Sequence, residues 1–398
     1  MTAVVVVGGV YQEYCAFPEW NQIYGSAGRA AFALSSHVDQ ITLRTILPDK
    51  DSRRIIPNFE AFGVDVVMET GTQLIAFDYL HCLSDPVIFP RPDLIVQQPT
   101  FSVSAEVAIL FGMMECTPQV SADVCVYDPQ SPNHPIGFRQ TGGKAKRLAI
   151  VANEREILKL GGTTDCDSAA TAVLKSENAE IVVVKRGLQG ARVFGSAGLL
   201  GDVPAYETHT VFTIGSGDVF VAAFTLAWAV SNLDPIQAAD FASKAVAGYV
   251  ETSSLPMISI DEAKSIARSP VVLKPGRVYL AGPFRELGQR ILIDEVRSIL
   301  RRLGLDVFSP VHDIGRGPAE KVVPQDLEAL RGCDAVFAIL NGSSPGTLFE
   351  VGYAVRGDKP VFCVAQNMRD VDTKLPRGAG CTVHPDLISA LHLLAWRK

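Results

Sequence analysis

The chain has no paired cysteine motif. Its eight cysteines (15, 82, 116, 125, 166, 333, 363 and 381) form no C-x-x-C step and no cluster with histidine. That excludes a disulfide framework and a zinc ribbon, and it reads as buried thiols in a reducing compartment. Basic residues are not in excess: 36 Lys and Arg against 43 Asp and Glu leave a formal charge of −7. This argues against a duplex DNA binder, which needs a clustered basic face. No apolar run is long enough for a membrane span; the longest, residues 219–230, falls about one third short. Residues 1–10 carry a short valine run without the basic flank of a signal peptide. There is no short internal repeat and no low-complexity segment. The expectation is a soluble cytoplasmic protein with no nucleic-acid or membrane partner.

What is present is a folding composition, 47% hydrophobic and 20% charged over 398 residues, enough for two or three domains. Val4-Val5-Val6-Val7-Gly8-Gly9 reads as a strand buried on both faces of a parallel sheet. The pattern recurs at Asp93-Leu94-Ile95-Val96 and at residues 124–127, 148–151 and 181–184, with helical patterns over 154–160 and 168–176. Strands alternating with helices predict an α/β sheet. A Pro- and Gly-bearing stretch at 269–276 precedes a second start-of-sheet pattern at 277–283, followed by strands at 306–308, 335–340 and 360–364. A boundary at about 273 gives a first domain of residues 1–272 and a second of residues 273–398.

In the first domain the sharpest feature is Thr213-Ile214-Gly215-Ser216-Gly217-Asp218, ahead of a helical run over 219–230. Glycines permit a tight turn, and a helix start leaves N–H groups free, so Gly215, Ser216 and Gly217 form a candidate anion hole. Asp218 at its edge could take a proton from a hydroxyl attacking a phosphoryl group. The hexapeptide alone fits equally an ordinary strand-to-helix turn with an N-capping Asp.

With its surroundings the turn resembles the signature of the PfkB (ribokinase-like) carbohydrate and nucleoside kinases. The resemblance runs through Gly8-Gly9, Gly25-Ser26-Ala27-Gly28, Asp128-Pro129, Asn153 with Glu156, and Gly187 with Gly190. It implies Asp218 as catalytic base, Asn153 and Glu156 near magnesium and phosphates, and Gly187 and Gly190 at the nucleotide. ATP and Mg2+ would be the cofactors, and no residue is a direct metal ligand. Glu13 and Gly25 would face the acceptor. Three positions depart from the pattern. Phe212 stands where the family has an Asp that helps hold a monovalent cation. Glu13 is one methylene longer than the usual acid, and Ala30 replaces an Asn. These departures leave open a nucleotide-binding pseudokinase that scaffolds the second domain.

In the second domain four pieces follow strand ends, where open α/β sheets place ligands. They are Tyr279-Leu280-Ala281-Gly282-Pro283-Phe284-Arg285, Ser309-Pro310-Val311-His312-Asp313, Gln325-Asp326-Leu327-Glu328 with Cys333-Asp334, and the run from Ser343-Ser344-Pro345-Gly346-Thr347 to Glu350-Val351-Gly352-Tyr353-Ala354. Breaking an N-glycosidic bond passes through an oxocarbenium-like sugar. A carboxylate can stabilise it or bond to it, and a second acid can serve the leaving base. Glu350 and Asp326 are the candidates, although each alone also fits a solvated helix residue.

Together the pieces resemble the nucleoside 2-deoxyribosyltransferase superfamily. The resemblance implies Glu350 as nucleophile and Asp326 near base and sugar. Ser344 stands where nucleoside-transferring members carry an Asp against the sugar 5′-hydroxyl. A serine hydroxyl can donate to a 5′-phosphate that an aspartate would repel. Ser344, Arg285, His312 and residues 325–328 are similar to the nucleoside 5′-monophosphate N-hydrolase branch. That implies phosphate contacts from Arg285 and Ser344, with Gly282, Gly346 and His312 around the nucleotide and no cofactor.

The expected architecture is α/β: a ribokinase-like three-layer domain followed by a smaller Rossmann/flavodoxin-like parallel-sheet domain. The expected protein is a bifunctional enzyme of nucleoside and nucleotide metabolism. Its second domain would split a nucleoside 5′-monophosphate, and its first would be an ATP-dependent sugar or nucleoside kinase. The alternative is base exchange by the second domain beside a nucleotide-binding pseudokinase. A homo-oligomer is expected by analogy with both families.

Overall fold

The computed structural model describes residues 2–131 and 134–397. The chain divides into two compact units, Met1–Thr208 with Phe212–Val271, and Val272–Lys398 with the short segment His209–Val211. The sequence gives no sign that His209–Val211 packs with the second unit.

The first unit is built on a nine-stranded sheet. The valine strand Ala3–Val7 lies inside it, parallel to Gln40–Pro48 on one side and to Ser102–Phe111 on the other. Val4, Val6 and Val7 are buried, as a strand covered on both faces requires. Parallel pairing continues through Gln119–Asp128, Lys144–Asn153 and Ile181–Lys185. Two antiparallel strands, Ala191–Gly195 and Gly198–Val203, finish that edge, and Val64–Gly71 forms the other. A separate four-stranded sheet contains Trp20–Ile23, Gln12–Phe17, Ala76–His81 and Val87–Phe89.

One sequence expectation fails here, and another holds with a change of helical pitch. Asp93-Leu94-Ile95-Val96 is not a strand. Pro92–Leu94 forms one 3-10 turn, Arg91 and Asp93 close an ion pair of 2.6 Å across it, and of the four residues only Ile95 is buried. A proline ahead of the run removes a ladder donor and favours the turn. The helix over 219–230 is not uniform either. Ser216–Phe224 is α-helical, then Thr225–Val230 widens to π-helical turns. The Thr225 hydroxyl donates to the Val221 carbonyl at 2.7 Å, competing with the regular ladder. This helix is buried on all sides through Ala229, which accounts for its unbroken apolar sequence.

The second unit has five parallel strands in the order Asp306–Phe308, Arg277–Ala281, Ala335–Ile339, Val361–Val364, Thr382–His384. The chain reverses direction across the sheet between Arg277–Ala281 and Ala335–Ile339, which are adjacent. The loops leaving their C-terminal ends therefore border one crevice. Seven of the eight cysteines are buried, Cys166 is half-buried, and all are free thiols.

The two glycines expected near the nucleotide differ in what they tolerate. A Cβ on Gly190 would lie 1.9 Å from the Val203 carbonyl oxygen at φ +78°, whereas Gly187, at φ +56°, faces open space. Gly190→Ala is expected to cost roughly 3 kcal/mol or more and Gly187→Ala about 1 kcal/mol. Denaturant unfolding of both variants checks this, and equal losses would refute it.

Candidate active sites

In the first unit Gly215 adopts the left-handed conformation and begins the helix Ser216–Phe224 without a side-chain cap. The Ser216 and Asp218 N–H groups turn to the Thr213 and Gly215 carbonyls at 3.1 Å, which leaves the Gly217 N–H for an anion. Asp218 lies in the first turn, but its carboxylate does not cap the helix. One oxygen accepts from Arg29 Nη1 at 2.8 Å and the other from Gln130 Nε2 at 2.8 Å. The N-capping reading is therefore wrong, because both carboxylate oxygens are held by side chains from elsewhere in the fold.

Arg29 is 1% exposed. It also pairs with Glu13 and donates from Nε to the Tyr249 hydroxyl at 3.1 Å. Burial works against its charge, but Glu13, Tyr249 and Asp218 together hold the guanidinium well above its ordinary range. Trp20 Nε1 reaches Glu13 at 3.4 Å. Phe212 packs on Trp20 and Tyr249, with ring centroids 4.7 and 6.4 Å apart, so the position carries an aromatic wall in place of a carboxylate. Ala30 is fully buried, and the polar group this helix sends towards the carboxylates is Arg29, one residue earlier. Gly25 is buried with φ +57°, and a Cβ there would lie 2.5 Å from the Gly9 carbonyl oxygen. It lets the helix Gly25–Leu34 start against the end of the first strand.

On the other side of the turn, Lys185 Nζ donates to Asp128 at 2.6 Å. A Cβ on Gly217 would come within 3.4 Å of that ammonium. Burial raises the Asp128 carboxyl against the opposing pull of Lys185. Asn153 caps the helix Glu154–Gly161 in a reciprocal box with Glu156, at 3.0 and 2.9 Å. Burial, with Asp128 nearby, pushes Glu156 up to about 7. A cation beside an uncapped helix start suits a polyphosphate. Among the described residues no group of three or more His, Cys, Asp or Glu side chains is placed to hold a metal ion.

In the second unit Tyr279, on the strand Arg277–Ala281, donates its hydroxyl to Glu350 Oε1 at 2.7 Å. Glu350 sits on the helix Pro345–Arg356. Burial pushes its carboxyl up to about 7; the Tyr279 hydrogen bond opposes this and the nearby Asp326 adds to it. Burial also raises Asp326, whose Oδ1 is buried without a hydrogen-bond partner. Burial, then Glu350, drives the Tyr279 phenol far upward, so it remains a donor. The predicted carboxylate pair is thus brought together around a tyrosine.

The other predicted residues of this unit are placed less tightly. Ser344 occupies the N-cap position of Pro345–Arg356 and makes no capping bond there. Gly346 lies open beside it, with Ser344 Oγ 4.0 Å from where its Cβ would be. Arg285 is exposed, and its backbone N–H donates to Gln289 at 3.0 Å. Gly282 packs on Ile339, leaving 3.3 Å for a Cβ. His312 is held between Asp294 at 2.7 Å and Ser309 at 2.9 Å, and lines a 510 Å³ groove with Arg297, Arg301 and Arg302. Arg285 and Ser344 follow adjacent parallel strands and leave the same sheet edge.

Sequence reasoning passed over Arg29, Gln130 and Lys185 as site residues, and named Tyr279 as part of a motif without giving it a role. Arg29 had a signal, as the one charge in a helix otherwise made of small and apolar residues. Gln130 had none, because its reach to Asp218 spans 88 positions.

Comparison with known proteins divides the chain in the same way. Residues 95–260 match the family model of the pfkB family carbohydrate kinases, and residues 278–386 match that of nucleoside 2-deoxyribosyltransferase. The 2-dehydro-3-deoxygalactonokinase of Haloferax volcanii is 34% identical over 124 residues, 30% of this chain and 37% of that protein. The 5-dehydro-2-deoxygluconokinase of Listeria monocytogenes is 32% identical over 147 residues, 33% of this chain and 44% of that protein. The chain therefore spans less than half the length of these curated relatives. A Vibrio cholerae fructokinase crystallised with fructose, ADP and calcium superposes with a TM-score of 0.50 at 16% identity, over 67% of this chain and 98% of that one. That likeness shows the fold: a ribokinase-like α/β unit with a large mixed sheet, followed by a separate small all-parallel sheet.

Proposed function

We propose that the second unit cleaves the N-glycosidic bond of a nucleoside 5′-monophosphate, with Glu350 as nucleophile or charge stabiliser. The observation that carries this is the half-buried Glu350 carboxyl, held by Tyr279 and adjoined by Asp326 with an unsatisfied oxygen. As the bond from the anomeric carbon to the base nitrogen breaks, its electron pair stays with the base. The ionised Glu350 meets the positive charge on the sugar. Asp326, raised by burial, is suited to give the departing base a proton or to orient it. Water then delivers hydroxide to the anomeric carbon and its proton to a carboxylate. Arg285 and Ser344 would receive the 5′-phosphate at the start of the helix Pro345–Arg356. Base exchange on an unphosphorylated deoxynucleoside is the second reading, favoured by the transferase family model that matches residues 278–386.

The first unit fits an ATP-dependent phosphotransferase for a sugar or nucleoside, with Asp218 in the base position. Lys185 and the turn at Gly215, Ser216 and Gly217 would hold phosphates, with Asn153 and Glu156 on the magnesium side. Bound ATP would supply the phosphoryl group and Mg2+ would offset its charge. The Arg29 bridge to Asp218 favours the second reading of this unit, a nucleotide-binding scaffold.

Two outcomes test the glycosidase reading. Glu350 must be ionised to act, so release of free base should rise with pH through about 7. Glu350→Gln should lower it by at least about 1000-fold. The folded-state value lies above the ordinary 4.5, so the stability linked to this group is present below about 4.5 and lost as pH rises through about 7. Glu350→Gln should accordingly melt a few degrees higher than the parent at pH 8 and no higher at pH 4. A variant that melts lower at pH 8 would contradict the strained carboxyl. Ser344→Asp should weaken 5′-monophosphate binding by about 10- to 100-fold while sparing the nucleoside. Calorimetry with both ligands decides; equal losses would remove the phosphate argument.

A further inference from the structure

The acceptor end of the first unit already contains a cation of its own. The helix Gly25–Leu34 is made of small and apolar residues apart from Ser26 and Arg29, and the Arg29 side chain is almost completely enclosed. Its guanidinium touches Asp218, Glu13 and the Tyr249 hydroxyl, and the Tyr24 ring centroid lies 5.3 Å from its central carbon. Tyr249 in turn donates to the Ile214 carbonyl at 2.9 Å, tying the arginine to the phosphate-binding turn. Gly215 accommodates it, since a Cβ there would lie 2.1 Å from Arg29 Nε.

A neutral sugar or nucleoside bound for phosphoryl transfer needs two things from this place. Asp218 must offer an oxygen to the attacking hydroxyl, and Glu13 must hold a neighbouring one. Arg29 engages both carboxylates, and Gln130 takes the second oxygen of Asp218. The planar fork of donors meets the same acceptors that sugar hydroxyls would meet.

Resting on the second reading of this unit, a nucleotide-binding kinase fold that acts as a scaffold, we propose that Arg29 is its acceptor-determining residue: the guanidinium occupies the place of a neutral polyol, so that ATP binds without passing its γ-phosphoryl group to one. When Arg29 is removed, a polyol hydroxyl can enter. Its oxygen bonds to the γ-phosphorus, the bond to the β-phosphate oxygen breaks with its electron pair leaving on ADP, and the hydroxyl proton goes to Asp218.

The test uses the full chain with Mg2+ and two readouts, ATP binding by titration and acceptor-dependent ADP release over a panel of neutral sugars, inositol and nucleosides. The parent should bind ATP and release no acceptor-dependent ADP. Arg29→Ala should release it with at least one acceptor, at least about 100-fold above the parent, the scale of a freed general base. Adding Asp218→Asn should abolish the gain, and millimolar guanidinium ion should refill the space and suppress it. Arg29→Ala alone leaves two buried carboxylates facing each other, so Arg29→Gln runs beside it; its shorter amide withdraws from the guanidinium's place, can still donate to one carboxylate, and leaves Glu13 and Asp218 in place. The proposal is overturned by a parent that already phosphorylates a neutral acceptor at a rate the variants do not raise. It is equally overturned by folded, ATP-binding Arg29→Ala and Arg29→Gln variants that stay silent. Failure of the parent to bind ATP instead overturns the reading of the whole unit, and the binding titration separates that result from the other two.

Discussion

A guanidinium removed from water must be matched by carboxylates or it will not stay buried. Much of the first unit's site follows from that single constraint at Arg29. Glu13 comes from the small sheet, Asp218 from the signature helix and Tyr249 from the helix Pro235–Thr252. Each is fixed by its bond to the same arginine, and Gly215 must lack a side chain to let the arginine lie there. The pattern continues beyond Asp218. Gln130 links it to Asp128, Asp128 pairs with Lys185, and Glu156 lies close enough to be raised by Asp128. Charges of alternating sign run beneath the turn, so each carboxylate is answered by a cation or an amide.

The second unit treats buried acid differently. Glu350 has no buried cation; its partner is the neutral hydroxyl of Tyr279, and its neighbour is another acid. Burial without a counter-charge favours the protonated form, and one hydrogen bond does not reverse it. This arrangement costs stability and keeps the carboxyl reactive towards a developing positive charge. Arg29 stabilises the carboxylates of the first unit in their resting partnership. The carboxyl at Glu350 is left for a ligand to complete.

Much of this was legible in the sequence. Continuous valine runs bounded by glycine gave the parallel strands, because strands covered on both faces have no polar side to alternate. The glycine turns marked helix starts, and Glu350 with Asp326 emerged from their places after strand ends. Asp93-Leu94-Ile95-Val96 misled because three apolar letters after an acid carry no information about the proline turn that precedes them. Arg29 was missed for a different reason. Arg29 meets Asp218 across 189 positions and Tyr249 across 220, and no local spacing encodes such a meeting. The Tyr279–Glu350 pair, 71 positions apart, was reached through motif resemblance alone, which named both residues without stating their bond.

The two acids differ in one further respect that sequence position does reveal. Both helices begin without a side-chain cap, at Gly215 and at Ser344; in the first the Ser216 and Asp218 N–H groups turn to the Thr213 and Gly215 carbonyls, which leaves that of Gly217. Asp218 is the third residue of Ser216–Phe224, inside the first turn, where the helix dipole favours a negative charge. Glu350 is the sixth residue of Pro345–Arg356, beyond that turn, and gains little from the dipole. The N–H groups ahead of Glu350 are thus left for an external anion, while the acid itself stays half-buried beside Tyr279 and Asp326. A group bound at the helix start and a reacting centre above Glu350 would then be separated by about one turn, roughly 5 Å along the axis. That spacing suits a ligand carrying its anion a few bonds away from the carbon that reacts, as a sugar 5′-phosphate does.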